Sequence, residues 1–216
     1  MKKKLLVMVL GLVMAFAMCA CSSSSDSSSD DHSQIEVDTA KQTVSVYGEV
    51  NGKYFTEVTR HGVVFKDGAN GEKAIIRALG SEKEFYGALV SLGIDPSDNM
   101  PVKDQCAQGT IVEGPQLDVT ISWDGQDPIP FEQCIKTGDG SEYKIDCRFG
   151  GNIKKAYKLN TGCIFCLDSC PVGITSNANY GWGAIETAKT VQCYGNDEVL
   201  PEDVTLVKVT FTVTGK

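Results

Sequence analysis

Three closely spaced cysteines are the residues of this sequence best placed to do chemistry. Cys163, Cys166 and Cys170 lie within eight residues, and Pro171 follows directly. The spacing, C-x2-C-x3-C-P, matches the last three cysteines and the proline of a bacterial iron–sulfur motif. Asn160 stands where that motif has its first cysteine, so a four-iron cluster would need a fourth ligand from elsewhere in the chain.

Two other kinds of chemistry suit the same sulfurs. C-x2-C is the spacing of a redox dithiol, in which Cys163 or Cys166 would attack and Cys170 would resolve. It is also a common half-site for zinc, which takes four thiolate or imidazole ligands and is here the less favoured metal. His61 is a further candidate ligand, although a lone histidine in a strand is more often an ordinary side chain.

Four outlying cysteines are predicted to be structural. Cys134 and Cys147 flank the turn TGDG, so we expect them to face each other across a hairpin and to form a disulfide. Cys106 and Cys193 would form the second disulfide, which leaves the three motif sulfurs free. Cys193 is also the first candidate for the fourth cluster ligand, with Cys147 and Cys106 as alternatives.

The first 20 residues have the pattern of an export signal. A lysine triplet precedes the uncharged apolar run 5–17, which is too short to span a bilayer. Cys21 follows a small residue, as in a bacterial lipobox, whereas Cys19 follows a methionine and fits less well. We therefore expect a lipid on Cys21 and a protein held at the extracytoplasmic face of the cell membrane. A signal with lysines rather than twin arginines exports an unfolded chain, which argues against a cluster assembled in the cytoplasm.

The rest of the chain divides into a tether and one domain. Residues 21–34 are rich in serine and aspartate and have almost nothing apolar to bury, so we expect them to be disordered. Residues 35–216 are long enough for a single domain with a sizeable core. The formal net charge of −8, with no basic patch, excludes nucleic acid as a partner and leaves membrane attachment to the lipid.

Alternation of apolar and polar residues predicts that strands dominate the domain. The predicted strands are 43–47, 62–65, 73–79, 117–123, 129–135, 143–149 and 205–213. The turn clusters KDGANGE and TGDG predict two hairpins. A helix is expected over 81–93, with a capping box at its start, and a shorter one over 152–159 with Asn152 as its cap. The predicted fold class is α+β: an antiparallel, β-rich, two-layer, sandwich-like domain with one main helix packed on the sheet.

Several segments resemble the YdjY-domain family. They are TRHGVVFKDGANGEKAI, KEFYGALVSLGIDPSDNM, LDVTISWDGQ, RFGGN, NTGCIFCLDSCPVGITSNA and NDEVLP, and the similarity runs from about residue 43 to the C-terminus. Members are typically exported bacterial proteins, often lipoproteins, and some carry ferredoxin-like labels because of the cysteine motif. The resemblance therefore implies a fold and a location more than a reaction. It carries the family's three motif cysteines over onto Cys163, Cys166 and Cys170, and it does not extend to the outlying cysteines.

Two functions agree with these patterns. The first is an envelope lipoprotein whose motif sulfurs bind a metal or an iron–sulfur cluster, or act in thiol redox or electron transfer. The second is a non-enzymatic binding or scaffold module, whose cysteines form structural disulfides and whose partner is another envelope protein. The sequence has no G-x-S-x-G, no H-E-x-x-H and no transferase signature, which argues against a hydrolase.

Overall fold

The computed structural model describes residues 34–101 and 106–215. These residues belong to one unit, Ser33–Lys216. The predicted signal, the lipid-bearing Cys21 and all but the last residue of the predicted tether lie outside the described residues. The boundaries of the signal and the tether therefore stay predictions.

Strands account for most of the regular structure. The strands are β1 (Ile35–Asp38), β2 (Thr43–Val50), β3 (His61–Phe65), β4 (Ala74–Ala78), β5 (Gln116–Trp123), β6 (Gln126–Pro130), β7 (Ile135–Thr137), β8 (Cys147–Phe149), β9 (Cys163–Cys166), β10 (Thr175–Asn177), β11 (Cys193–Gly195) and β12 (Leu206–Gly215). The helices are α1 (Glu82–Ser91) and α2 (Ile153–Leu159), with 3₁₀ helices at Gly52–Phe55, Gly71–Lys73 and Phe131–Cys134. Neither α-helix of the described segments is long and apolar enough to cross a bilayer.

Eight of these strands close into a barrel, so the predicted two-layer sandwich is wrong. The strand order is β2-β12-β5-β8-β10-β9-β3-β4, and β4 pairs back with β2 from Gly48↔Ala78 to Val50↔Ile76. β1 and β6 extend the sheet beside β2 and β5, while β7 and β11 form a separate pair. Alternation could not distinguish the two folds, because a sandwich and a small barrel both bury one face of every strand.

The strongest predicted strand shows how the barrel is filled. Val207, Val209 and Phe211 of β12 are almost completely buried, while the residues between them face outward and are partly exposed. Inside, the ring of Phe211 packs against the rings of Phe85 and Phe165. Buried apolar side chains therefore occupy the interior, as expected for a barrel of eight strands.

Helix α1 begins as predicted but lies at one end of the barrel. Ser81 accepts a hydrogen bond from the amide of Glu84, whose side chain bonds back to Ser81, and this confirms the capping box. The helix contacts β1, β2, β9 and α2, and its Tyr86 packs against Phe149 of β8. Because β2, β8 and β9 lie on different sides of the barrel, α1 covers an opening rather than a sheet face.

The hairpin predicted across KDGANGE is wrong, since β3 and β4 are parallel. The register pairs His61 with Ala74 and Phe65 with Ala78, so the connection must run back along the length of the strand. Residues 66–73 do this in a loop that ends in the 3₁₀ helix Gly71–Lys73, and the loop packs on the segment 160–162. The turn-rich composition predicted that the chain reverses direction between the two strands. The loop instead returns the chain to the end of the sheet where β3 begins, so that β4 runs parallel to β3.

The second predicted hairpin is also wrong. β7 pairs with β11 through Ile135↔Gly195 and Thr137↔Cys193, and only residues 147–149 of the expected partner form a strand, which pairs with β5 and β10. A 3₁₀ helix at Phe131–Cys134 interrupts the strand predicted over 129–135. The alternation thus correctly placed a strand at 147–149, within the predicted 143–149. The strand that pairs with β7, however, is β11, which is far away in the sequence.

Candidate metal centre

The structure brings one histidine to the motif cysteines. The ligand atoms of His61, Cys163 and Cys166 all lie within 4.8 Å of one another, and all three residues are buried. Nδ1 of His61 is 3.8 Å from Sγ of Cys163. Cys170 lies outside this group of three but belongs to the same buried cluster as the other two cysteines. A candidate metal centre therefore consists of His61, Cys163 and Cys166, with the Cys170 sulfur beside it.

Pairing between β3 and β9 produces this arrangement. His61 is paired with Cys166, and the register shifts twice before Val64 pairs with Cys163. In a regular strand, residues three apart point to opposite faces. Here the irregular pairing places both sulfurs in one buried cluster, which also contains Cys170.

The chain enters β9 through a tight connection that positions Cys163. Helix α2 ends at Leu159 and is followed by Asn160, which has a φ of 49°. Gly162 has a φ of 72°, and a Cβ at this position would lie 3.0 Å from the backbone of Gly68 in the loop after β3. The same loop brings Asn70 to the site, where its amide donates to Sγ of Cys163 at 3.5 Å.

Asn152 holds the segment that carries Cys170. It precedes α2 as predicted, but its side chain makes no capping hydrogen bond. Its amide donates instead to the carbonyls of Cys170, at 3.0 Å, and Gly173, at 3.1 Å. A Cβ on Gly173 would lie only 3.1 Å from Sγ of Cys166, so the absence of a side chain there lets the segment lie close against the sulfurs.

A buried ion pair supports the loop between Cys166 and Cys170. Nε of Arg60 donates to Asp168 at 2.9 Å, and the Trp182 ring lies 4.3 Å from the guanidinium carbon. Burial alone would lower the pKa of Arg60, but the nearby Cys170 and Asp168 raise it. Burial raises the pKa of Asp168, and Arg60 opposes that effect. A permanent positive charge thus lies beside the sulfurs, where it favours thiolate over thiol.

The three sulfurs have distinct proton affinities. A hydrogen bond from Cys166 lowers the pKa of Cys163 well below its usual range, with further help from His61. A hydrogen bond from Cys166 also lowers the pKa of Cys170, which in addition feels the charge of Arg60. The pKa of Cys166 is raised well above its usual range, because it is the donor to both neighbours. The lowered pKa values of Cys163 and Cys170 favour loss of their protons, and a bound cation would favour it further.

Two unpartnered hydroxyl groups lie close to the sulfurs. Oγ1 of Thr161 and Oγ of Ser176 are buried and have no hydrogen-bond partner among the described residues. Thr161 is two residues before Cys163, and Ser176 pairs with Cys166 across β9 and β10. Buried polar groups without partners are uncommon and often mark a place where a ligand binds.

The four outlying cysteines do not join this group. All seven described cysteines are free, so neither predicted disulfide is formed in the structure. Cys134 and Cys147 do not face each other, since the hairpin that would pair them is absent. Burial raises the pKa of Cys134 and of Cys193 to about 12. Cys193 lies outside the group of ligand atoms around His61, and Cys106 is half-buried in a separate cluster.

Comparison with known proteins agrees with the sequence resemblance. A family model described as the YdjY domain matches residues 35–212. The chain belongs to the YdjY domain family. It is 43% identical to an "Uncharacterized protein YdjY" from Escherichia coli (strain K12) over 180 residues, which are 83% of this chain and 78% of that protein. No solved structure matches. Membership is thus confirmed, while lipid attachment and the role of the cysteine motif stay predictions.

Within this YdjY domain, sequence reasoning identified the motif sulfurs but not their surroundings. His61 was only weakly favoured as a ligand, because it lies 102 residues before Cys163 and nothing local links them. Arg60, Asn70 and Asn152 were missed as site residues. The adjacent Arg60 and His61 at the start of a predicted strand were the one available signal, and the structure uses both at the site.

Proposed function

We propose that this YdjY domain binds a single thiophilic metal ion, with zinc the first choice. His61, Cys163 and Cys166 would be ligands. Cys170, in the same buried cluster but outside that group, would move closer on metal binding to complete a set of three thiolates and one imidazole. A tetrahedral zinc ion, with bonds of about 2.3 Å to sulfur and about 2.0 Å to nitrogen, holds its ligand atoms about 3.6–3.8 Å apart. The 3.8 Å between Nδ1 of His61 and Sγ of Cys163 is the observation that carries the proposal.

The same spacing favours a single ion over a four-iron cluster. A cluster binds each thiolate to a different iron, so its sulfurs stand farther apart than ligands of one ion. The Sγ atoms of Cys163 and Cys166 instead lie within 4.8 Å of each other. Three cysteines and one histidine are a common ligand set for zinc. Zinc is therefore proposed ahead of an iron–sulfur cluster, although the motif alone favoured the cluster.

Burial points to a structural or metal-holding role. The three sulfurs are at most 1% exposed, so a full set of protein ligands would leave no open position for a substrate. Such closed sites stabilise folds, whereas catalytic zinc keeps one position for water. In this domain, the ion would join β3, β9 and the loop that ends at Cys170.

We also propose that the domain is held at the extracytoplasmic face of the cell membrane by a lipid on Cys21. The support is the sequence pattern of the first 21 residues, followed by a polar stretch. Metabolic labelling with palmitate tests this proposal. We expect label in the wild type and none in Cys21→Ser, with Cys19→Ser as the matched control that keeps the label.

Metal analysis tests the metal site. Protein purified without chelators is expected to contain one zinc per chain, and cobalt substitution should give intense sulfur-to-cobalt absorption. Cys163→Ser and Cys166→Ser should lose the metal, while Cys134→Ser, which removes an equally buried sulfur outside the site, should keep it. Stoichiometric iron with sulfide in anaerobically purified protein would establish a cluster instead. A metal-free chain that binds neither zinc nor cobalt would contradict the metal function and favour the non-enzymatic binding or scaffold module.

A further inference from the structure

A cavity of about 280 Å³ opens next to His61. Its walls combine apolar and charged side chains, and they include Tyr54, Val58, Arg60, Lys73 and Lys189. His61 links this cavity to the candidate metal centre, because it lines the cavity and also contacts Cys163. His61 is 8% exposed, whereas the three motif cysteines are at most 1% exposed.

The second nitrogen of His61 lacks a partner. Nδ1 lies against Cys163, while Nε2 has no hydrogen-bond partner among the described residues. A histidine that binds a metal through one nitrogen almost always donates its other N–H to a carboxylate, a carbonyl or water. In this domain, no carboxylate or carbonyl of the described chain fills that role, and the cavity is next to the ring.

The charges around the cavity favour an anion. Arg60, Lys73 and Lys189 line it, with Glu186 as the single carboxylate in the lining. Asp168 and Glu186 both pair with Arg60, Asp168 through a 2.9 Å hydrogen bond and Glu186 at 3.6 Å from the guanidinium. The two lysines therefore leave the cavity positive, although the whole chain has a formal charge of −8. The negative charge of the whole chain repels a macromolecular polyanion more strongly than a small anion.

We propose that this cavity binds a small organic carboxylate, one oxygen of which accepts a hydrogen bond from Nε2–H of His61. The lysines would pair with the remaining carboxylate charge, and Tyr54, Val58 and Ile185 would contact the carbon skeleton. The direction of the histidine hydrogen bond rests on the proposed metal function, since metal at Nδ1 places the proton on Nε2. The cavity and its charges do not depend on the metal.

Histidine NMR gives a direct test, because the chain has two histidines. The mature protein, labelled with ¹⁵N-histidine, is titrated with succinate in its metal-free and zinc-loaded forms. We expect a saturable shift of the His61 ring signals, while His32, in the predicted tether, serves as the internal control. Equal movement of both histidines, or no saturable shift in either form, would overturn the proposal.

Two lysine variants test where the anion binds. Lys73→Met and Lys189→Asn should each weaken succinate binding by roughly tenfold, as expected for loss of one charge-assisted contact. Because Nζ of Lys73 also donates to Oδ1 of Asn70 at 3.0 Å, both variants are measured in the metal-free form. Asparagine suits position 189, where φ is 52°, and Lys158→Met, on the exposed end of α2, is the matched control expected to bind normally. Succinate affinity unchanged in both cavity variants, or binding of inorganic phosphate without succinate, would contradict an organic carboxylate site.

The two proposals fail in different ways. Succinate binding by the metal-free protein alone, with no zinc uptake, would remove the metal function and retain the cavity. Zinc uptake without succinate binding would retain the metal function and remove the carboxylate site.

Discussion

The guanidinium of Arg60 and the carboxylate of Asp168 form an ion pair that is almost closed to solvent, with side-chain exposures of 5% and 0%. It joins the start of β3 to the loop between Cys166 and Cys170. Removing one partner of such a pair leaves a buried charge, which typically costs about 3–5 kcal/mol. The pair therefore fixes the position of the cysteine loop as well as contributing to stability.

Asp168→Ala is expected to lower the free energy of unfolding by about 3–5 kcal/mol, because Arg60 would keep only the half-exposed Glu186 as a carboxylate partner. Urea denaturation measures this change. Asp197→Ala breaks an exposed pair with Lys136 and should cost less than about 1 kcal/mol. A similar small loss in both variants would show that the buried pair has no special role.

Asn70→Ala is expected to weaken zinc affinity by about 10- to 100-fold, the range found when hydrogen-bond partners of metal ligands are removed. The reason is that the Asn70 amide donates to Sγ of Cys163. Competition with a coloured chelator measures the affinity. Asn99→Ala removes an amide that donates to the carbonyl of Ile111 in another loop, and this variant should bind zinc normally. Equal affinity in both variants would refute a role for Asn70.

Gly173→Ala is expected to disturb the site, because the added Cβ would lie 3.0 Å from Oγ of Ser176 and 3.1 Å from Sγ of Cys166. Overpacking of this kind costs about 1–3 kcal/mol, and zinc affinity should fall as Cys166 shifts. Gly87→Ala is the matched control, since its Cβ would meet nothing within 4 Å. In the helix interior it should stabilise the domain by about 0.5–1 kcal/mol. Thermal unfolding and zinc titration of both variants measure these effects.

Thiol reactivity should single out Cys106, which is half-buried while the other six described cysteines are buried. Cys134 and Cys193, with pKa values of about 12, stay protonated at pH 8 and should react slowly with Ellman's reagent. In denaturant without reductant, peptide mapping should find all seven cysteines from Cys106 onward alkylated. Recovery of a Cys134–Cys147 or Cys106–Cys193 crosslinked peptide would restore the disulfide hypothesis.

Local pattern determined several elements of this protein correctly. The alternation of β12 and β5, and the capping box of α1, depend on neighbouring residues, so they are readable in the sequence alone. The spacing of the three motif cysteines also singled them out, and they lie in one buried cluster; their role stays a prediction. Family membership likewise follows from the order of residues along nearly the whole domain.

The tertiary structure alone decided the barrel, the parallel pairing of β3 with β4, and the meeting of His61 with Cys163. Each depends on which strand lies beside which, and alternation reports only that a strand has one buried face. Closure between β4 and β2, and the pairing of β3 with β9, join segments that are far apart in the chain. The physical reason is that the choice of strand partners depends on the free energy of the whole core. That free energy includes contacts between distant segments, which no short stretch of sequence contains.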